Sequence, residues 1–147
     1  METTFRIAGV DDIPLLMEMI RSFYREDHHD FQEIKIQKAL REILSEREIG
    51  SVYMIESDQN TAGYFIISFG WSLEYFGKDI FIDELFIREG CRRLGLGKKS
   101  LEFIERFVKE NNFKAIHLEV NKFNIARKLY ESKGYMSHNS DLMSKRF

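Results

Sequence analysis

The sequence holds one cysteine (Cys91), one proline (Pro14) and one tryptophan (Trp71). A lone cysteine excludes an internal disulfide framework. A single proline excludes a proline-rich linker. No apolar run approaches the roughly 20 residues that a membrane-spanning helix needs. The start, Met1-Glu2-Thr3-Thr4-Phe5-Arg6, lacks the basic-then-apolar form of a signal peptide. Together with the cysteine usage this points to a cytosolic protein. Neither charge sign dominates: 22 Lys and Arg stand against 24 Asp and Glu. A net charge near −2 gives no global attraction to nucleic acid or to a membrane surface. Repeats, linkers and low-complexity stretches are absent too, so 147 residues read as one domain, 1–147, around one core.

What is present is an aromatic-rich apolar pattern, with thirteen Phe and six Tyr. Phe5 to Ala8 reads as a first strand. Asp11-Asp12 offers an N-cap, with Pro14 in the first helical turn. Ile13, Leu16, Met17, Ile20 and Phe23 or Tyr24 then recur at helical spacing. After a polar break at Arg25–Asp30, Ile34, Ile36, Leu40, Ile43 and Leu44 predict a second helix that ends near Gly50. Ser51–Glu56 and Gly63–Phe69 read as strands around a turn at residues 57–61. Trp71–Asp79 is a connection, and Ile80–Ile87 is a fourth strand. A helix follows from about Leu96 to Asn111, then a strand at Lys114–Val120. A last helix, Phe123–Lys133, is stopped by Gly134. Tyr135–His138 and Leu142–Lys145 are expected to close the sheet. The order β-α-α-β-β-β-α-β-α-β-β is a mixed α/β pattern on one sheet.

The junction between the fourth strand and the following helix carries the most chemistry. It reads Arg92-Arg93-Leu94-Gly95-Leu96-Gly97-Lys98. Glycines let a backbone turn tightly and approach a ligand. A helix start presents free N–H groups and a partial positive charge, so it suits a phosphate. Arg92, Arg93, Lys98 and Lys99 add full charges. A Walker A loop is excluded, because Arg92 stands at its first glycine and Lys99 where Ser or Thr belongs. A dinucleotide fingerprint fits poorly, with Ser100 in place of the third glycine.

The pattern R-x-x-G-x-G after an apolar strand resembles the acetyl-CoA loop of the GNAT superfamily of N-acetyltransferases. Downstream, Leu118-Glu119-Val120, Asn124, Ala126, Tyr130 and Gly134-Tyr135 resemble the second signature of that family, with Asn124 and Ala126 one residue closer than usual. Ser72-Leu73-Glu74 and Ile82–Ile87 resemble a bacterial, small-molecule-type subgroup. The resemblance spans nearly the whole chain and is strongest from Ile80 to Phe147. It implies one mixed sheet with helices on both faces and a splayed fourth and fifth strand. It also implies acetyl-CoA as co-substrate, no metal, and a dimer in which Leu142–Lys145 pairs across subunits. By the same resemblance Leu85, Phe86 and Ile87 offer main-chain groups to the pantetheine arm, and Arg92–Lys98 holds the pyrophosphate.

Moving an acetyl group onto an amine requires the amine to be neutral. A lysine-like amine with pKa about 10.4 is only about 0.04% neutral at pH 7, a penalty of about 4.6 kcal/mol. A carboxylate acting directly or through water lowers it. Glu84 and Asp83 are the candidates, since acids inside an apolar strand are unusual, and Glu84 is preferred; a carboxylate at a strand bulge, bound to backbone N–H groups or a nearby Arg, is its other role. Period-two alternation places the two on opposite faces. Glu74 and Glu119 are weaker choices. The leaving thiolate needs a proton or a hydrogen bond. Tyr130, four residues after the small Ala126, is the general acid by resemblance; burial as a helix anchor is its other role. Asn124 either contacts the cofactor arm or caps the last helix. His28 and His29 have no metal-ligand partners at useful spacing, His117 reads as a surface histidine rather than a base, and Cys91 has no paired histidine for thiol catalysis. Glu26, Asp27, Asp30 and Glu74 border the acceptor by resemblance and lean toward a small cationic amine. A protein N-terminus or lysine as acceptor, and a non-catalytic acyl-CoA sensor, are the competing readings.

Overall fold

A computed structural model describes residues 1–147. Five strands, β1 (Thr3–Ile7), β2 (Gly50–Ser57), β3 (Asn60–Ser72), β4 (Gly77–Ile87) and β5 (Ala115–Leu118), form one sheet in the order of the chain. Neighbours are antiparallel except β4 and β5, which run parallel. The parallel pair needs a crossover, and α3 (Leu96–Glu110) supplies it. Helices α1 (Ile13–Glu26) and α2 (Glu33–Ser45) lie between β1 and β2 in the chain, and α4 (Ala126–Ser132) follows β5.

Both faces of the sheet are covered, so the central strands are buried on both sides. Val52, Met54, Tyr64, Ile66 and Phe86 meet Leu16, Met19 and Ile20 of α1 and Leu40 of α2. Tyr53, Ile55, Phe65, Ile67, Ile80 and Ile82 meet Leu96, Leu101 and Ile104 of α3. The aromatic content concentrates on the α3 face: Phe5 and Phe103 have ring centroids 4.7 Å apart, and Tyr53 and Phe65 5.0 Å.

Turn chemistry explains where the elements differ from expectation. The β2–β3 turn is only Asp58-Gln59, both at positive φ (49° and 69°), so the strands run longer than the polar stretch implies. That primed geometry matches the twist of a hairpin. Part of the expected connection at 71–79 is likewise strand, since β3 reaches Ser72 and β4 begins at Gly77. Helix α4 starts at Ala126 rather than Phe123, because the Asn124 side-chain oxygen accepts the Ala126 N–H at 2.9 Å. Gly134 ends it at φ 90°; its N–H donates to the Glu131 carbonyl and that of Tyr135 to the Tyr130 carbonyl, a Schellman ending.

The two closing strands at Tyr135–His138 and Leu142–Lys145 do not form. The sequence Ser137-His138-Asn139-Ser140-Asp141 between their apolar residues has low strand propensity. Met136, Leu142 and Met143 are 85%, 67% and 90% exposed, so no buried face holds the segment to β5.

Pairing of β4 with β5 ends at Ile82 and Leu118. At this point β4 carries a bulge: Ile67 pairs with Ile82 and Ile66 with Glu84, leaving Asp83 as the extra residue. Residues 83–87 stay on β3 but have no strand on their other side. The splayed pair is thus present. Here β3 comes very close, and a Cβ on Gly63 would sit 2.1 Å from the Phe86 carbonyl oxygen. Gly63→Ala is expected to destabilise the fold by at least about 2 kcal/mol through backbone displacement. A urea midpoint equal to wild type would show that β3 and β4 do not approach this closely.

Candidate active site

A cleft of about 1540 Å³ opens where β4 leaves β5. One bank is residues 82–87 of β4 and the loop leading to α3. The other is Leu118–Asn121 and the start of α4, with the end of α1 and the α1–α2 loop at one end.

The open edge of β4 has a defined polarity. The Arg88 N–H donates to the Ala62 carbonyl at 2.8 Å. In an antiparallel ladder this makes Ile87 and Gly63 a pair whose own N–H and C=O point away from each other. Leu85, two residues back and opposite Phe65, does the same. Main-chain groups of Leu85 and Ile87 therefore face the gap, a row to which an extended amide-bearing ligand can bond. Phe86 instead buries its side chain under α1, with its ring 5.7 Å from that of Phe23.

At the loop end Gly95 is left-handed (φ 78°) and caps α3, whose first residue is Leu96. Arg93 also has positive φ (65°). A Cβ on Gly95 would meet nothing within 4 Å, whereas one on Gly97 would meet Leu129 of α4 at 3.3 Å. One glycine serves the backbone turn and the other the packing of α3 on α4. Leu94 is half exposed. Arg93 and Lys98 line the cleft. Lys99 turns away to the Thr3 hydroxyl at 3.3 Å. Arg92 is engaged: its Nε donates to the Ile87 carbonyl at 2.9 Å, and one terminal nitrogen to both Glu26 oxygens at 2.8 and 2.7 Å.

At the other end both Asp83 and Glu84 line the cleft, against the alternation expected from period two. The bulge is the reason, since an extra residue re-aims the side chains around it. Glu84 accepts a phenol hydrogen bond on each oxygen, from Tyr64 and from Tyr24, both at 2.7 Å. Burial pushes its carboxyl up, and the charge of Asp83 adds to that; the two phenols pull it back down without cancelling the rise. Burial and the charge of Glu84 raise both tyrosines, so their hydroxyls stay protonated as donors. Asp83 is exposed to the cleft but enclosed by its concavity, which also pushes its carboxyl up. Asp27 and Asp30 line the cleft too, Glu26 lines it beside Arg92 of the loop, and Glu74 does not line it. Lys35 and the tail residue Arg146 are cations that line it.

Tyr130 lies on the opposite bank, and burial raises its hydroxyl above the ordinary value. It is a proton donor rather than a base at neutral pH. Its ring meets that of Tyr135 edge-on at 5.9 Å. Asn124 and Glu119 line the cleft, Asn124 while capping α4. Cys91 lies beside the loop. His117 does not line the cleft; it meets Asp79 at 3.0 Å and the Tyr75 ring edge-on at 4.8 Å. Trp71 is exposed.

The sequence model of the acetyltransferase (GNAT) family matches residues 14–135. The chain belongs to this family. It is an acetyltransferase, and the donor of the family is acetyl-CoA. Solved structures share the fold across the full length. A possible acetyltransferase from Clostridium difficile 630 is 17% identical, with TM-score 0.86, over 99% of this chain and 97% of its own. A predicted acetyltransferase with acetyl-CoA from Clostridium acetobutylicum is 18% identical, with TM-score 0.80, over 98% and 96%. An aminoglycoside acetyltransferase from an uncultured soil metagenomic sample is 16% identical, with TM-score 0.78, over 99% and 95%. No curated protein sequence matches. The roles of Tyr24 and Tyr64 as partners of Glu84 carry no sequence signal, and Glu26, expected beside the acceptor, pairs with Arg92 instead. Tyr24 and Tyr64 lie 60 and 20 residues from Glu84, and only the packing of α1 and β3 on β4 joins them.

Raised carboxyls have a signed consequence for stability. Between about pH 4 and their raised values, Asp83 and Glu84 hold more protons in the folded than in the unfolded chain. Their contribution is full below about pH 4 and falls as pH rises through that window. Asp83→Asn is expected to have a higher urea midpoint than wild type at pH 7, with the difference closing toward pH 4. Parallel curves would mean that Asp83 is solvated like a surface acid.

Proposed function

We propose that this acetyltransferase moves an acetyl group from acetyl-CoA directly to the primary amine of a small molecule that arrives as a cation. The observation that carries the reading is a single cleft. The open edge of β4, the glycine loop and the Asp83–Glu84 pair all face one space of about 1540 Å³. That exceeds the roughly 300–1,000 Å³ of a pocket for one small ligand, so donor and acceptor fit side by side and no covalent enzyme relay is needed.

Acetyl-CoA supplies the activated acetyl group as a thioester. Leu85, Phe86 and Ile87 form the strand beside which its pantetheine arm lies, and the outward N–H groups of Leu85 and Ile87 bond to it. The loop Arg92–Lys98 holds the pyrophosphate through main-chain N–H groups at the α3 start, with Arg93 and Lys98 adding charge. Asn124 borders the arm from the other bank. Glu84, fixed on both oxygens by phenols, and Asp83, which has no hydrogen-bond partner, draw an ammonium and relieve it of its proton, directly or through water. The Tyr130 hydroxyl donates to the departing sulfur. Its reference pKa of about 10 against about 8.5 for a thiol makes full transfer uphill by about 2 kcal/mol, so the hydrogen bond matters as much as the proton. The acids Asp27, Asp30, Asp83 and Glu84 support a cationic acceptor.

Calorimetric titration with acetyl-CoA, followed by thiol release over a panel of polyamines, aminoglycosides and N-terminal peptides, tests the reading. Micromolar binding by wild type, lost in Gly95→Trp, and turnover of a small amine are expected. Turnover of peptides alone would replace the small acceptor with a protein, and binding without any turnover would make the chain a sensor. Tyr130→Phe is expected to lower kcat about 10- to 1,000-fold with acetyl-CoA affinity nearly unchanged. An unchanged kcat would make Tyr130 a helix anchor only.

A further inference from the structure

We propose that Glu26 is a positioning residue for the acetyl-CoA site and that it acts through Arg92, whose side chain organises the site instead of binding phosphate. The inference rests on the acetyl-CoA reading of the cleft.

Arg92 opens the R-x-x-G-x-G loop, yet its guanidinium is turned back from it. Three groups from two parts of the chain, α1 and β4, hold it. Glu26, the last residue of α1, accepts from one terminal nitrogen with both oxygens, at 2.8 and 2.7 Å. The Ile87 carbonyl at the end of β4 accepts from Nε at 2.9 Å. The Phe86 ring lies 5.7 Å from the guanidinium carbon, in cation–π range. Phe86 in turn packs on Phe23, three residues before Glu26 on α1. Guanidinium groups are suited to such planar, multiple bonding, and a lysine cannot reproduce it.

The placement matters for the cofactor. Ile87 has one carbonyl pointing into the gap, and Arg92 takes it. Main-chain groups left for the pantetheine arm are then those of Leu85 and the N–H of Ile87. Arg92 thereby ends the strand-like groove at residue 87, and it sets the direction in which the loop leaves β4 toward the α3 start. Glu26 neutralises and orients this arginine. Without the carboxylate the guanidinium is free to swing to the loop, and the groove end loses its fixed geometry.

Two roles for Arg92 predict opposite signs for one substitution. If Arg92 positions, Glu26→Gln raises the acetyl-CoA dissociation constant about tenfold, and Arg92→Ala does much the same. The double variant is then no worse than Arg92→Ala, because the residues act as a unit. Arg92→Lys does not rescue, and kcat at saturating acetyl-CoA moves less than about threefold, which separates positioning from a general loss of fold. If Arg92 were a phosphate ligand held in reserve by Glu26, Glu26→Gln would bind acetyl-CoA as tightly as wild type or more tightly. That result overturns the proposal. Calorimetry with acetyl-CoA on the intact chain and the four variants decides it, with urea midpoints confirming that each variant is folded. Wild type that binds while Glu26→Gln is unchanged removes only this inference. Wild type that does not bind acetyl-CoA removes the functional reading and this inference together.

Discussion

The parting of β4 from β5 after Ile82 and Leu118 is the constraint on which the rest of the site depends. A parallel pair that continued would consume the main-chain groups of residues 83–87 and leave no gap. The bulge at Asp83 coincides with the parting. An extra residue bends a strand and increases its local twist, which carries the end of β4 away from its neighbour. The strand then keeps one full ladder to β3 while its other edge serves a ligand. Side chains of the same residues remain in the core, as the burial of Phe86 shows. Packing and binding use different atoms of one segment.

The same bulge organises the electrostatics. It brings two acids to one cleft, an arrangement a regular strand forbids. Burial in this partly dry concavity raises both carboxyls, and the charge of Asp83 raises Glu84 further. Phenols from α1 and β3 limit the effect on Glu84, keeping a charge available where an ammonium must be received. The basic loop lies at the other end of the cleft. One cavity thus presents opposite signs to the two partners of a transfer, which orients both before any chemistry occurs.

Much of this was legible in the sequence, for physical reasons that differ by element. The helical spacing of Ile13, Leu16, Met17 and Ile20 marks the face of α1 that is buried, because amphipathicity is a local property. The glycine loop is legible because a left-handed cap restricts residue choice, and Gly95 is the capping residue at positive φ. Gly134 ends α4 for the same reason. The bulge was a reading the sequence could not decide: Ile-Asp-Glu-Leu reads equally well as regular alternation, and only the register of β3 settles it. The Glu84 phenols and the Glu26–Arg92 pair depend on contacts between distant segments, the latter 66 residues apart. The closing strands failed in the opposite way. Apolar residues such as Leu142 and Met143 suggest a strand locally, but a strand exists only with a neighbour to pair with.

The one extra residue in β4 has a consequence for how that strand can vary. Deleting Asp83 would remove the bulge and restore strict alternation with every other side chain on its present face. Deleting any other residue of β4 would instead invert the side chains between it and the bulge, exchanging core for cleft. Substitutions in this strand are graded in effect, whereas a change of length is all or nothing. The tail after Gly134, which has no ladder to keep in phase, is free of that rule. Length variation among chains of this architecture is therefore expected to accumulate beyond α4, while the count between Gly77 and Ile87 stays fixed.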